Sequence, residues 1–190
     1  MKRVLIFAMA CVLATFMVVS AQAGNQGDDA ANKATEHSYV GVSKCGMCHK
    51  AKAKGNQLAQ WQESAHAQAY ATLATDAAKA VAKKAGVSDP QKSPKCLECH
   101  VTAYGVDKKL LGAKYSVEDG VGCESCHGPG SDYMKMSTMK DQEKAVAAGM
   151  VVPTEKTCVK CHNEKSPTYK KFVFKDRVAQ VAHPRPKAAK

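Results

Sequence analysis

Aromatic side chains are scarce in this sequence. They make up 6% of its 190 residues, with one tryptophan, four phenylalanines and six tyrosines. Because aromatic residues normally supply much of the apolar area in a core, side chains alone would give a thin core for a chain of this length. We therefore expect another source of apolar bulk to complete the core.

Long apolar runs are also missing, with one exception near the start. Two basic residues precede an apolar run that ends near residue 19 and is followed by Ala-Gln-Ala, the small-residue pattern of a cleavage site. This arrangement predicts a cleaved secretory signal peptide over residues 1–23 rather than a membrane anchor. Cys11 lies inside the run and leaves with it. We expect a mature protein that is periplasmic or extracellular and has no stable membrane insertion.

The remaining chain is expected to form one domain. Cleavage after residue 23 leaves 167 residues, which suffice for one domain and are too few to argue for two. Residues 24–38 are polar and predict a mobile N-terminal arm. Residues 39–186 form the predicted domain, and residues 187–190 a short tail.

Eight of the nine cysteines lie beyond the signal peptide, outside the cytoplasm, where free thiols are unusual. All eight fall into four CxxCH units, each with two cysteines and an adjoining histidine. The units are Cys45, Cys48 and His49; Cys96, Cys99 and His100; Cys123, Cys126 and His127; and Cys158, Cys161 and His162. CxxCH is the attachment motif of c-type haem. Two thiols about one helical turn apart bind the two vinyl groups of one porphyrin, and the next residue brings its imidazole to the iron.

Two other uses of these cysteines explain the pattern less well. Four disulfides would not require a histidine directly after every second cysteine. Structural zinc sites pair CxxC units with each other and do not need the adjoining histidine. The sequence therefore predicts four c-type haems, whose porphyrins supply the missing apolar bulk. Folding should then depend on haem attachment, and we expect the chain without haem to be largely disordered.

The formal net charge of +11 overstates how basic the folded protein is. Loss of Lys2 and Arg3 with the signal peptide leaves +9, and two propionates on each haem contribute up to about −8. The protein with haem is expected to be only mildly basic, so nucleic-acid binding is not expected. Its lysines are typical of a solvated face, and the alternative is a surface that docks an acidic redox partner.

Helical patterns dominate the rest of the chain. Helices are predicted at residues 141–148 and 174–181, with two more in residues 51–85 that are interrupted near residue 75. Loops or turns are predicted at residues 86–95 and 128–130, and a short extended pair at residues 110–121. The fold class is therefore mainly α, with few or no strands, as in a multihaem cytochrome whose helices and loops surround four closely stacked haems.

Several stretches of this chain resemble the cytochrome c554 family of tetrahaem cytochromes. They are VGVSKCGMCHK, the pattern W-x-x-S-A-H-A-x-A at residues 61–69, CLECHVTAYG, GVGCESCHGPG and CVKCHN. The resemblance covers nearly all of the chain from Tyr39 onward. It implies a mainly α-helical fold around stacked haems, with electron transfer as the activity.

Histidines are too few to ligate every iron from both sides. The chain has seven, and the four in the CxxCH units are the proximal ligands, so three remain. At least one haem must therefore lack a distal histidine from its own chain. His66, on a predicted helix, matches a distal ligand of the family, and the position of His183 also fits one. The family's third distal histidine follows GCESCHGPG, but this chain has SDYMKMSTM there.

Three replacements for that third ligand remain open. His37 is favoured as a ligand within the same chain, and ligation of a neighbouring subunit by His37 ranks second. Methionine ranks third, through Met134, Met136 or Met139, and would raise the potential of its haem relative to a bis-histidine one. The alternative for these methionines is packing against porphyrin edges.

Three functions follow from this ligand count. We favour a periplasmic electron carrier that serves redox partner proteins the sequence does not identify. The second function is reduction of nitric oxide or a related small N-oxide at an open iron. The resemblance points to the second CxxCH unit for that iron, because the family's equivalent haem lacks a strong distal ligand. The third is a subunit of an extracellular haem filament, a homo-oligomer joined by the ligand from His37. No general acid or base is identified, since Glu98, Glu118 and Glu124 are expected to be solvated.

Overall fold

The computed structural model describes residues 37–183, and the fold within that range is helical. Its α-helices, labelled α1 to α10 in chain order, are Val42–His49, Gln57–Gln62, Ala69–Thr72, Asp76–Lys84, Pro94–His100, Cys123–His127, Met136–Met139, Gln142–Ala147, Glu155–Cys158 and Phe174–Arg177. Short 3-10 turns span Lys52–Lys54, Lys108–Leu110, Val117–Asp119 and Val178–Gln180. Over residues 37–183 the only β-pairing is an isolated parallel bridge between Tyr39 and Leu111. The predicted mainly α class is confirmed.

Some predicted segments lie outside the described residues. These are the signal peptide at residues 1–23, residues 24–36 of the arm, and the end of the chain from residue 184. The described part of the arm begins at His37. Within residues 37–183, no helix is both long enough and apolar enough to cross a membrane.

The CxxCH units coincide with helices. The first three lie within α1, α5 and α6, and the fourth begins at the end of α9 and continues into turns. This agrees with the helical-turn spacing of each cysteine pair. Helix α5 begins at Pro94, where a fixed φ favours a helical start and no N–H is lost from the helix.

Helix boundaries with a capping side chain are predicted well. Helix α4 begins after Thr75, whose Oγ1 accepts the Ala78 N–H at 3.2 Å. Helix α8 begins after Asp141, whose carboxylate accepts two backbone N–H groups at 3.1 Å. Such caps satisfy N–H groups that have no partner within the helix. The predicted helix at residues 174–181 is also present, as α10 followed by a 3-10 turn.

The first of the two helices predicted within residues 51–85 is wrong, because the structure has no continuous helix there. Gly55 and Asn56 adopt left-handed conformations, with φ of 97° and 49°, and separate a 3-10 turn from α2. Residues 63–68 then form turns, because the Ser64 hydroxyl bonds to the Trp61 carbonyl and accepts the Ala67 N–H. His66 therefore lies in a turn between α2 and α3, and not on a helix.

The extended pair predicted at residues 110–121 is also wrong. This segment contains parts of two 3-10 turns, and the side chains of Asp107 and Ser116 accept backbone N–H groups at their starts. Leu111 pairs instead with Tyr39, far away in the sequence. Local side-chain bonds of this kind compete with strand pairing.

Buried hydrophobic side chains are few in the described residues. Leu73, Leu97 and Val101 form the main cluster, with Tyr70 and Tyr115 packed against it. Helix α3 contacts α5 in this region, and α1 contacts both α2 and α6. The helices of the first and third CxxCH units are therefore in contact with each other, and the helix of the second packs against α3 at the small apolar cluster.

Candidate functional site

Three of the four CxxCH histidines use one ring nitrogen in a hydrogen bond with the protein. Nδ1 of His100 lies 2.7 Å from the Ala69 carbonyl oxygen, and Nδ1 of His127 lies 3.1 Å from that of Val151. Nδ1 of His49 lies 3.1 Å from Gln57 Oε1. When Nδ1 donates to these oxygens, Nε2 carries the lone pair that a metal needs. Such a bond also fixes the ring orientation, as is usual for metal-binding histidine.

The turn that contains His66 brings its ring to the fourth CxxCH unit. The ring centroids of His66 and His162 are 6.1 Å apart, and the planes make an angle of 59°. Two imidazoles bonded through Nε2 to opposite sides of one metal, at about 2 Å each, have centroids about 6 Å apart. The pair therefore has the separation expected of two axial ligands. Phe172 stacks on the His162 ring at 4.9 Å.

A second imidazole pair joins the third CxxCH unit to the end of the described chain. The ring centroids of His127 and His183 are 5.8 Å apart, with an interplanar angle of 40°. This separation also matches an axial pair. The structure thus brings both His66 and His183 opposite a CxxCH histidine, although 96 and 56 residues separate the partners.

Burial favours the neutral form of the paired imidazoles. It lowers the pKa of His66, and the neighbouring His162 lowers it further. Burial is also the main cause that lowers the pKa of His127, with a smaller contribution from His183. The pKa values of His162 and His183 are lowered as well, again mainly by burial. A neutral imidazole is the form that binds a metal.

The His66 turn is held by the segment that leads into the third CxxCH unit. The Val121 N–H donates to the His66 carbonyl at 3.0 Å, and the Trp61 indole N–H donates to the Val121 carbonyl at 2.8 Å. A Cβ at Gly120 would approach the His66 carbonyl oxygen to 2.9 Å, so this contact needs glycine. The family-like elements around His66 and GVGCESCHGPG are therefore in direct contact.

His37 is anchored but does not face a CxxCH histidine. Its Nδ1 bonds to the Asp132 carboxylate, and its Nε2 lies against Gly149. Within residues 37–183, neither His49 nor His100 makes a ring contact with another histidine. Among the candidate methionines, Met136 is 60% exposed, whereas Met134 and Met139 are half-buried. A distal role for His37 or for a methionine stays a prediction.

Cysteine thiols from different CxxCH units lie side by side. A hydrogen bond with the Cys123 thiol, together with burial, raises the pKa of Cys45. Burial and the neighbouring Cys99 thiol raise the pKa of Cys161 to about 12. Burial raises the pKa of Cys126, with a further contribution from Cys158. The first unit is therefore close to the third, and the fourth is close to the second.

Of the three glutamates near the CxxCH units that are expected to be solvated, Glu98, Glu118 and Glu124, the last is buried. Glu124 is 4% exposed, and its two oxygens accept three backbone N–H groups. The sequence carried no periodicity that marks it as buried. Its position between two cysteines of a CxxCH unit does not mark it either, since Glu98 has such a position in the second unit and is exposed.

The residues present fit covalently bound haem. The eight cysteines of residues 37–183 are free thiols at the attachment positions. The imidazole pairs offer two ligands each, which matches the two axial positions that a porphyrin leaves on its iron. Haem would be held by the CxxCH cysteines and histidines, with His66 and His183 on the opposite faces of two of them.

The chain is similar to known cytochromes. Residues 44–128, which include the first three CxxCH units, match the family model described as cytochrome c554 and c-prime. The chain is 32% identical over 150 residues to a protein of Nitrosomonas europaea named cytochrome c-554. That alignment covers 68% of this chain and 59% of the relative, so the chain spans less than two thirds of the relative's length. No solved structure matches the chain.

Proposed function

The chain belongs to the cytochrome c554 family of c-type cytochromes, and on this premise we propose that it is a tetrahaem electron carrier of the periplasm or cell exterior. Each CxxCH unit would attach one haem. Bound haem supplies reversible one-electron chemistry, while the protein sets its ligands and surroundings. The redox partners would be proteins, and the lysine-rich surface favours partners with an acidic docking face.

The observation that carries this proposal is the pair of facing imidazoles at two CxxCH units. The His66–His162 and His127–His183 centroid distances of 6.1 and 5.8 Å suit six-coordinate iron. Six-coordinate haem with two histidines has no free position for a substrate and is suited to electron transfer. Two of the four proposed haems would thus be ligated by two histidines each, which is the coordination that suits an electron carrier.

The arrangement of two units in space also supports transfer between haems. Helix α1 contacts α6, so the first CxxCH unit lies beside the third. Haems attached to these two units would lie close together, which would favour electron transfer between them.

A count of covalent haem and a redox titration test the proposal. Protein produced in a host that matures c-type cytochromes should gain the mass of four haems per chain. It should take up four electrons in a potentiometric titration followed by absorbance. A protein with fewer than four thioether-bound haems, or one that a reductant leaves oxidised, would contradict it.

A second function, reduction of nitric oxide or a related small N-oxide, is favoured by the surroundings of His100. Its ring is oriented by the Ala69 carbonyl, and within residues 37–183 no histidine ring faces it. The test is steady consumption of nitric oxide by protein supplied with a reductant. Binding of nitric oxide without turnover would leave electron transfer as the function.

A further inference from the structure

Glu124 is a buried acidic side chain within the third CxxCH unit. It is 4% exposed and lies directly after Cys123. Its Oε1 accepts the N–H groups of Val40 at 2.8 Å and Gly130 at 2.7 Å, and its Oε2 accepts that of Gly41 at 2.8 Å. Both oxygens are therefore occupied by donors from two separate loops.

This arrangement suits an ionised carboxylate that has no cationic partner. A carboxylate only accepts hydrogen bonds, and three N–H donors converge on it here. The ion pairs within residues 37–183 involve five other acidic side chains, Asp76, Asp89, Asp107, Asp132 and Asp141. Backbone dipoles stabilise the charge of Glu124, but they carry no net charge that would cancel it. A net negative charge thus remains inside the protein.

The charge lies where two haem-binding helices meet. Gly41 is the residue before α1, which carries Cys45, and Gly130 follows α6, which carries Glu124 itself. The two helices contact each other directly. Gly41 has φ of 88°, and a Cβ there would collide with the Lys114 carbonyl. Glycine therefore allows the chain to bring its N–H to the carboxylate.

We propose that Glu124 is a positioning residue whose fixed buried charge holds the first haem-binding helix against the third and lowers the reduction potentials of the haems on these two units. This inference rests on the proposed haem-binding function. Reduction removes one positive charge from the iron, so a nearby negative charge favours the oxidised form. The effect is strong in a low-dielectric interior, where water does not screen the charge.

The test is a potentiometric titration of the four-haem protein with Glu124→Gln. Glutamine keeps the size of the side chain and removes its charge. We expect two of the four one-electron steps to move to higher potential. The equilibrium constant of each reduction should rise by up to tenfold, which corresponds to a shift of about 59 mV for a one-electron step. The matched control is Glu98→Gln, which removes an exposed carboxylate from the second CxxCH unit. It should leave all four steps in place.

A second variant covers the case in which glutamine prevents maturation. The glutamine NH₂ would face the backbone N–H of Gly41, and this unfavourable contact by itself can prevent the variant protein from accumulating. Glu124→Asp retains the charge, and we expect it to mature with four haems and with potentials like those of the unaltered protein. Raised potentials in Glu124→Asp, or its failure to mature, would overturn the role of the charge.

The two proposals fail in different ways. If the unaltered protein does not bind four haems, the proposed function fails before any variant is made. If it binds four haems and Glu124→Gln matures with unchanged potentials, only the role of Glu124 is overturned. Thermal unfolding of the same variants gives an independent readout, because the glutamine NH₂ cannot accept the Gly41 N–H and the other two N–H groups lose a charged acceptor, which should lower the stability of Glu124→Gln.

Discussion

Replacement of His66 by alanine tests the imidazole pairing directly. The His66 ring lies 6.1 Å from that of His162, the proposed proximal ligand of the fourth haem. Its loss would remove one axial ligand from one iron in four. We therefore expect about one quarter of the ferric iron to change from low spin to high spin, because a five-coordinate histidine haem has a weaker ligand field.

The assay is low-temperature electron paramagnetic resonance of the fully oxidised protein, with the high-spin signal integrated against total haem. A matched control is Gln68→Ala, which alters an exposed side chain in the same turn and should give no new high-spin signal. Haem content per chain must stay at four in both variants. This separates loss of a ligand from loss of a haem.

His183→Ala extends the same reasoning to the third unit. Because His183 faces His127 and His66 faces His162, the two substitutions affect different irons. Their effects should add, so that the double variant gains high-spin signal from about half of its iron, in addition to the high-spin signal of the unaltered protein. Unchanged spin states in His66→Ala with all four haems retained would refute the assignment of His66 as an axial ligand.

Three further predictions concern other parts of the chain. His37→Ala should lower thermal stability by about 0.5–1.5 kcal/mol for the lost bond to Asp132, whose carboxylate is exposed, without a new high-spin signal; a high-spin signal of one haem would instead support the predicted distal role. A variant with serine at all eight attachment cysteines should show no cooperative thermal transition by circular dichroism, and a cooperative one would contradict haem-dependent folding. Thr102→Val should cost about 1–3 kcal/mol in denaturant unfolding, because the buried Gly122 N–H loses its acceptor; an unchanged midpoint would contradict this.

The sequence predicts the chemistry of the CxxCH units better than it predicts their surroundings. Cysteine spacing is a local property, and the helices at the first three units agree with it, whereas the fourth unit has only Cys158 in a helix. Capped boundaries at Thr75 and Asp141 are also local, since the capping side chain bonds to residues two or three positions further along. Such elements need no information from the rest of the fold.

The features that the sequence does not predict depend on contacts between distant segments. His66 lies in a turn because Ser64 bonds nearby backbone groups and because Val121, far along the chain, donates to the His66 carbonyl. Glu124 is buried because Val40 and Gly41 supply its donors. Neither arrangement has a periodic pattern in the sequence. Helical spacing therefore places His66 on a helix, and the usual exposure of carboxylates predicts that Glu124 is solvated, and both predictions are wrong.

The imidazole pairs bear on how the chain is held together. His66 and His162 are 96 residues apart, and His127 and His183 are 56 apart, so each pair would close a long loop through one iron. The entropy cost of closing a loop grows only slowly with its length, and a strong metal bond offsets it. Buried side chains contribute little to holding these distant segments together, since the main buried cluster of residues 37–183 consists of Leu73, Leu97 and Val101. Ligation would therefore stabilise the global arrangement of the helices as well as the redox site. A substitution at His66 should then lower both the fraction of low-spin iron and the unfolding temperature. A variant that changed the spin state and kept the unfolding temperature would separate these two roles.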